Sequence, residues 1–286
     1  LALMEEYPEY RFIQSSAFHL ELIRRHYPEL FDRIKEKIAE GRYEPNGGVW
    51  VECDCNITSG ESMVRQFLWG QRYTQEHFGY RSDCFWLPDT FGYSAAIPQI
   101  MKGCGVNYFL TTKLSWNDTN KFPYETFVWE GIDGTDVLVH FNCTHVWPDP
   151  KTLLGRVEGR GSTDFVQQKT VSDSRLISYG QGDGGGGPMF EMIEMSRRVK
   201  DLDGCPRAEH MSVSDFMKRL EKEAVNPNVY SGELYLELHR GTLTNQHQIK
   251  RNSRKAEIAI HNAELLTVAE AVKAGKPASD EEIHPL

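Results

Sequence analysis

The sequence has no run of eighteen apolar residues, so no segment of it reads as a membrane span. Its opening, Leu1-Ala2-Leu3-Met4-Glu5-Glu6, lacks the basic start and apolar core of a secretory leader. It also lacks an initiator methionine, as expected of a processed product or a fragment. Positive charge is in deficit. The 32 Lys and Arg face 41 Asp and Glu, and the net charge of -9 speaks against nucleic acid as the main partner. Six cysteines include no CxxC pair, and Cys53-x-Cys55 alone is a poor metal motif. In a chain of 286 residues the expectation is reduced, mostly buried thiols in the cytoplasm. No GxGxxG follows the first strand and no GxxxxGK[ST] occurs, which removes both common nucleotide-binding loops. HxH and HExxH are missing too, so no short zinc motif is visible.

What is present is alternation. Apolar residues recur at three- and four-residue steps through Phe18, Leu22, Ile23, Tyr27, Leu30, Ile34 and Ile38, predicting at least two helices over 1–44, broken by Pro8 and Pro28. Phe12-Ile13 between them has the character of a strand. A strand is predicted at 49–52 and a helix from Ser59 to Phe78. Strands follow at 84–87 and 106–111, with a helix to Lys102 between them. A hairpin of 126–130 with 136–140 turns at Asp133-Gly134. Residues 145–174 are polar and irregular. Further strands are expected at 176–179, 208–211 and 229–236, and helices at 189–200, 213–223 and 249–274, before a polar, frayed tail. Strand, loaded loop and helix in succession indicate a parallel β/α architecture with its site at the carboxyl ends of the strands.

Three clusters carry chemistry. Asp89 follows the 84–87 strand among aromatics. It suits either a cap for the next helix or a catalytic carboxylate. Gly182-Asp183-Gly184-Gly185-Gly186-Gly187-Pro188 has no Lys-Ser/Thr after its glycines, against a phosphate cradle, and stands between a strand and a helix, against a linker. A loop presenting Asp183 to a ligand remains. Two carboxylates on one rim suit glycoside cleavage. His239 lies in Glu237-Leu238-His239-Arg240-Gly241-Thr242, and Asp with His are ordinary ligands for a divalent ion.

Residues 4–12 (MEEYPEYRF), 59–62 (SGES), 86–100 (WLPDTFGYSAAIPQI), 111–118 (TTKLSWND), 182–188 (GDGGGGP) and 233–242 (ELYLELHRGT) resemble the α-mannosidases of glycoside hydrolase family 38. The likeness is closest to their cytosolic and bacterial branch. It implies an α/β fold with a seven-stranded β/α barrel, and a zinc-dependent, retaining, exo-acting α-mannosidase working through a covalent mannosyl-enzyme. Under it Asp89 is the nucleophile and a zinc ligand, His239 a second zinc ligand, and Asp183 the acid/base. Asp54, Lys113, Trp116 and Arg240 are then substrate-binding. The family's His-x-Asp zinc pair on the first strand would lie upstream of Leu1. The expectation is therefore a barrel domain over 1–247 lacking that strand, and a helical segment over 248–286 that begins the next domain. The partner implied is a mannose-containing oligosaccharide. The C-terminal helix would suit a domain contact or a homo-oligomer. The competing readings are another metal-dependent sugar hydrolase or deacetylase, and a carbohydrate-binding protein without turnover.

Overall fold

A computed structural model describes residues 1–161, 164–183 and 186–277. The tail expectation beyond 277 and the glycines Gly184 and Gly185 lie outside the described residues. In chain order the elements are α1 (Ala2–Glu6), β1 (Phe12–Ile13), α2 (Ala17–His26), α3 (Pro28–Ala39), β2 (Tyr43–Glu44), α4 (Gly60–Phe78), β3 (Cys84–Trp86) and β4 (Gly92–Tyr93). Then come α5 (Ile97–Gly103), β5 (Tyr108–Thr111), β6 (Thr126–Glu130), β7 (Asp136–Phe141), β8 (Cys143–Val146), α6 (Pro150–Leu153) and β9 (Ile177–Tyr179). The chain continues through α7 (Phe190–Val199), α8 (Val213–Glu223), β10 (Val229–Ser231), β11 (Leu234–Tyr235) and α9 (His247–Ala274).

The fold is α/β with mixed sheets. Five strands run in the order β10-β6-β7-β5-β3, parallel except for the β6-β7 hairpin. Three two-stranded pairs flank them: β1-β2 and β8-β9 are parallel, and β11-β4 is antiparallel. β3, β5 and β7 are near-continuous apolar runs because both faces are covered. One face packs Phe85, Phe109, Val139, Phe127 and Trp129 against Phe67 of α4 and Ile97 and Met101 of α5. The other packs Trp86, Tyr108 and Leu110 against Phe216, Met217 and Leu220 of α8.

Two buried polar groups of this frame are paired, as desolvation demands. The Glu44 carboxylate accepts from the Val213 and Ser214 backbone N–H groups at 2.7 and 2.9 Å, at the start of α8. His140 on β7 is fully buried. Its Nε2 accepts from the Leu176 N–H at 3.2 Å, so Nδ1 carries the proton and faces Thr126 Oγ1 at 2.9 Å. Burial holds its pKa down at about 3.

Several expected elements change. Residues 49–52 form no ladder beyond the single Val49–Ser16 bridge. Their backbone is satisfied instead by helices: Ala17 and Phe18 N–H donate to the Val49 and Trp50 carbonyls, and Trp50 N–H donates to Gln66. Gly70 of α4 makes this approach feasible, since a Cβ there would stand 2.4 Å from the Val49 backbone. Residues 208–211 carry no strand ladder. The run 229–236 divides at Gly232, whose φ of 129° suits glycine, and sends β10 to β6 and β11 to β4.

Candidate active site at the strand ends

Register alone brings the first two site residues together. Trp86 of β3 pairs with Leu110 of β5, and the Leu87 N–H continues the ladder to the Leu110 carbonyl. Asp89 and Lys113 each lie just past this level. Their side chains meet, Lys113 Nζ to Asp89 Oδ1 at 2.9 Å. The loop that carries Asp89 is fixed from below. The buried Tyr93 hydroxyl donates to the Leu87 and Thr90 carbonyls in bifurcated fashion and lies 2.6 Å from Thr111 Oγ1. Asp89 is not a helix cap: α5 starts eight residues later, after Ala96, with no side-chain cap.

The second half arrives on β11. Tyr235 pairs with Gly92, and Leu236 N–H donates to the Phe91 carbonyl. Glu237 then locks this strand to the loop after β5. Its carboxylate accepts from the side chain and backbone of Asn120 and from Thr119 N–H, and its own N–H donates to Asn117 Oδ1. The Asn120 side-chain bond, with these backbone bonds, holds the Glu237 carboxyl below its ordinary range. His239 follows, in the left-handed region at φ 53°. Its ring sits edge-on to Phe91 and Trp116, with centroids at 5.2 and 5.4 Å. Trp116 also lies under the Lys113 ammonium at 5.1 Å, so one chain of contacts links Asp89, Lys113, Trp116, His239 and Phe91.

Asp89, Phe91 and His239 of this chain of contacts line a cavity of about 300 Å³ together with Glu52, Asp54 and Arg240 among others, whereas Lys113 and Trp116 do not line it. Asp54 is there, yet one of its oxygens is committed. Oδ1 accepts from the Asn56 and Ile57 N–H groups, both at 2.8 Å, shaping its own loop. Arg240 is exposed, and its guanidinium donates to the Glu237 carbonyl at 3.3 Å. Glu52 is an addition that sequence reasoning missed. Burial is the main force raising its carboxyl, with the Asp89 charge adding to it, and the Ser15 hydroxyl donates to it. Its position two residues before Asp54, on the same face of an extended segment, was the available signal.

Asp183 does not line this cavity. It sits past the end of β9 with its side chain 89% exposed, its Oδ2 3.7 Å from His145 Nδ1. Among the described residues no group of three or more His, Cys, Asp or Glu is arranged to hold an ion. Asp89 and His239 share the cavity, but two donors fall short of the three or four protein ligands zinc takes. No helix among the described residues is long and apolar enough to cross a membrane.

Residues 1–235 match the model of the glycosyl hydrolases family 38 N-terminal domain. The chain is 45% identical over 264 residues to alpha-mannosidase G of Dictyostelium discoideum, covering 92% of this chain and 24% of that one. It is 46% identical over 275 residues to Homo sapiens alpha-mannosidase 2C1, covering 93% and 25%. With the Saccharomyces cerevisiae alpha-mannosidase it shares 41% over 283 residues, covering 94% and 26%. The chain thus spans about a quarter of the length of these relatives. The crystal structure of an alpha-mannosidase from Enterococcus faecalis V583 superposes with a TM-score of 0.64 at 18% identity, over 82% of this chain and 27% of that one, which is a likeness of fold.

Proposed function

Since the chain belongs to glycosyl hydrolase family 38, we propose that it carries the catalytic barrel of a retaining, exo-acting α-mannosidase that removes terminal α-linked mannose from oligosaccharides. In this reading the strands belong to a seven-stranded β/α barrel domain over 1–247, and 248–286 opens the next domain. The observation that carries it is Asp89 paired to Lys113 beside a cavity of about 300 Å³ with an aromatic wall. That is the small end of the range for ligand sites and suits a single terminal sugar.

Asp89 attacks the anomeric carbon while Asp183 gives its proton to the departing glycosidic oxygen. The carbon–oxygen bond to the aglycone breaks and an ester to Asp89 forms. Water, deprotonated by Asp183, then attacks the same carbon, and the ester bond returns its electrons to Asp89. Lys113 holds the Asp89 carboxylate aimed for attack. Phe91, in the cavity wall, offers an apolar face to the sugar ring. The zinc that the resemblance implies would have Asp89 and His239 as donors. Because these two do not make a zinc site by themselves, no step is assigned to it. Six unpaired cysteines suit a reducing compartment, in support of a cytoplasmic enzyme.

The test is trapping. The intact enzyme is incubated with 5-fluoro-α-mannosyl fluoride, digested and mapped by mass spectrometry. A fluoromannosyl group on the peptide holding Asp89, absent in Asp89→Asn, supports the proposal. Label on another carboxylate, or turnover without label that survives Asp89→Asn, refutes it. The competing reading, sugar binding without turnover, is favoured by the absence of Asp183 from the cavity lining. It requires mannose binding to persist with no hydrolysis at all.

A further inference from the structure

His145 has no part in the chemistry so far, yet its backbone is built to aim it. β8 and β9 are parallel, with Cys143 opposite Ile177 and Val146 opposite Tyr179. The β8 side therefore holds one residue more between these two pairings, and the register shifts there. An extra residue in one strand re-aims a side chain. His145 occupies it with φ 60°, a left-handed conformation that costs free energy for a residue with a Cβ. Across from it, Asp183 is left-handed as well, at φ 56°. Two such residues face each other, His145 Nδ1 to Asp183 Oδ2 at 3.7 Å.

Gly182 explains how they come so close. A Cβ on Gly182 would fall 2.5 Å from both Cγ and Nδ1 of His145. The His145 side chain occupies the space a Cβ at 182 would need, so any other residue there would force one of the two to shift. Three features thus converge on one contact: a bulge, a bare glycine, and a pair of left-handed residues.

We propose that His145 is a positioning residue for Asp183, holding its carboxyl through Nδ1 in the orientation from which the proton passes to the glycosidic oxygen. This rests on the reading of Asp183 as the acid/base. His145 itself touches neither the sugar nor the reacting atoms. The 3.7 Å separation closes to a hydrogen bond when substrate enters, as catalytic contacts commonly do. His145 then presents a donor to Asp183 after the proton has left, and the same contact keeps the carboxylate aimed at the incoming water.

The test uses the intact enzyme and a series of aryl and alkyl α-mannosides, from 2,4-dinitrophenyl to methyl. A leaving group that departs readily needs little protonation, and a poor one needs much. Asp183→Ala, His145→Ala, His145→Asn and wild type are compared by kcat/KM. Asp183→Ala is expected to lose activity increasingly as the leaving group worsens, by about 100-fold or more between the ends of the series. His145→Ala is expected to follow the same trend with a shallower slope, about 10-fold between the ends. His145→Asn, whose amide nitrogen reaches the place of Nδ1, is expected to restore most of the loss. A uniform loss across the series in folded His145→Ala, or a flat series with no loss, overturns the proposal. If His145→Ala does not fold, His145→Asn and His145→Gln decide: retention by Asn with a selective loss in Gln, whose longer arm misplaces the amide, supports it. Equal behaviour of the two refutes it. If Asp183→Ala itself shows no dependence on the leaving group, the acid/base reading fails first, and this proposal with it.

Discussion

The buried His140 makes acid stability a quantitative test of the core. Its Nε2 is committed as an acceptor to the Leu176 N–H, so adding a proton there would set two donors against each other. Arg175 also repels a second positive charge. The ring is therefore neutral in the folded chain down to about pH 3, against an ordinary value of 6.5. Between these values the unfolded chain binds a proton that the folded chain refuses. Stability is accordingly full above 6.5 and is lost as pH falls toward 3. Each pH unit in this window is worth about 1.4 kcal/mol, so a drop from about pH 6.5 to about 4.5 removes on the order of 3 kcal/mol. That is a large share of the net stability of an ordinary domain, about 5–15 kcal/mol. Urea unfolding followed by tryptophan fluorescence at several pH values measures it, with His140→Gln as the reference. The glutamine carbonyl takes over acceptance from Leu176 and does not titrate. Wild type is expected to lose stability with acid more steeply than the variant by about 1 kcal/mol per unit. Parallel curves for the two proteins would refute the argument.

Other perturbations follow from equally local geometry. Gly70→Ala should raise intrinsic helix propensity, yet its methyl meets the Val49 backbone at 2.4 Å, so a melting experiment is expected to show a net loss of about 1–3 kcal/mol. Lys113→Met should leave the fold in place, as judged by circular dichroism, and reduce kcat/KM on an aryl α-mannoside by about 10–100-fold through loss of the ammonium that holds Asp89. Ser212→Ala removes the hydroxyl that accepts from Asp215 N–H at the start of α8 and is expected to cost about 1 kcal/mol in chemical denaturation.

Much of this was legible in the residues. The α4, α8 and β6-β7 boundaries followed from the serine that opens α4, apolar periodicity and the Asp-Gly turn, all of which are local signals. The meeting of Asp89, Lys113, Trp116 and His239 was expected in outline from the family resemblance, with the ends of the strands as the place where they gather. The misses share a cause. Residues 49–52 have strand composition, but which partner satisfies their N–H and C=O groups was decided by Gly70 and Gln66, far along the chain. Glu52 went unnoticed because its carboxyl gains meaning only beside Ser15 and Asp89. The aim of His145 depends on one extra residue in β8, and a register shift leaves no mark in composition. Asp183 shows the same limit from the other side. Its loop announced itself by its glycines, whereas its place relative to the cavity could not be read from them.

The long reach of the last strands has a consequence in time. β10 joins β6 across about 100 residues of intervening chain, and β11 joins β4 across still more, whereas the β6-β7 hairpin closes over a few. Loop-closure entropy places the hairpin early and β11 late. Asp89 and Lys113, carried on neighbouring parallel strands, can therefore meet before His239 arrives. The cavity is then finished by the final closure of the chain and opened by the first fluctuation away from it. Amide exchange at Leu236, the bond that seats this strand on Phe91, should accordingly run faster than at Leu110 in the middle of the sheet.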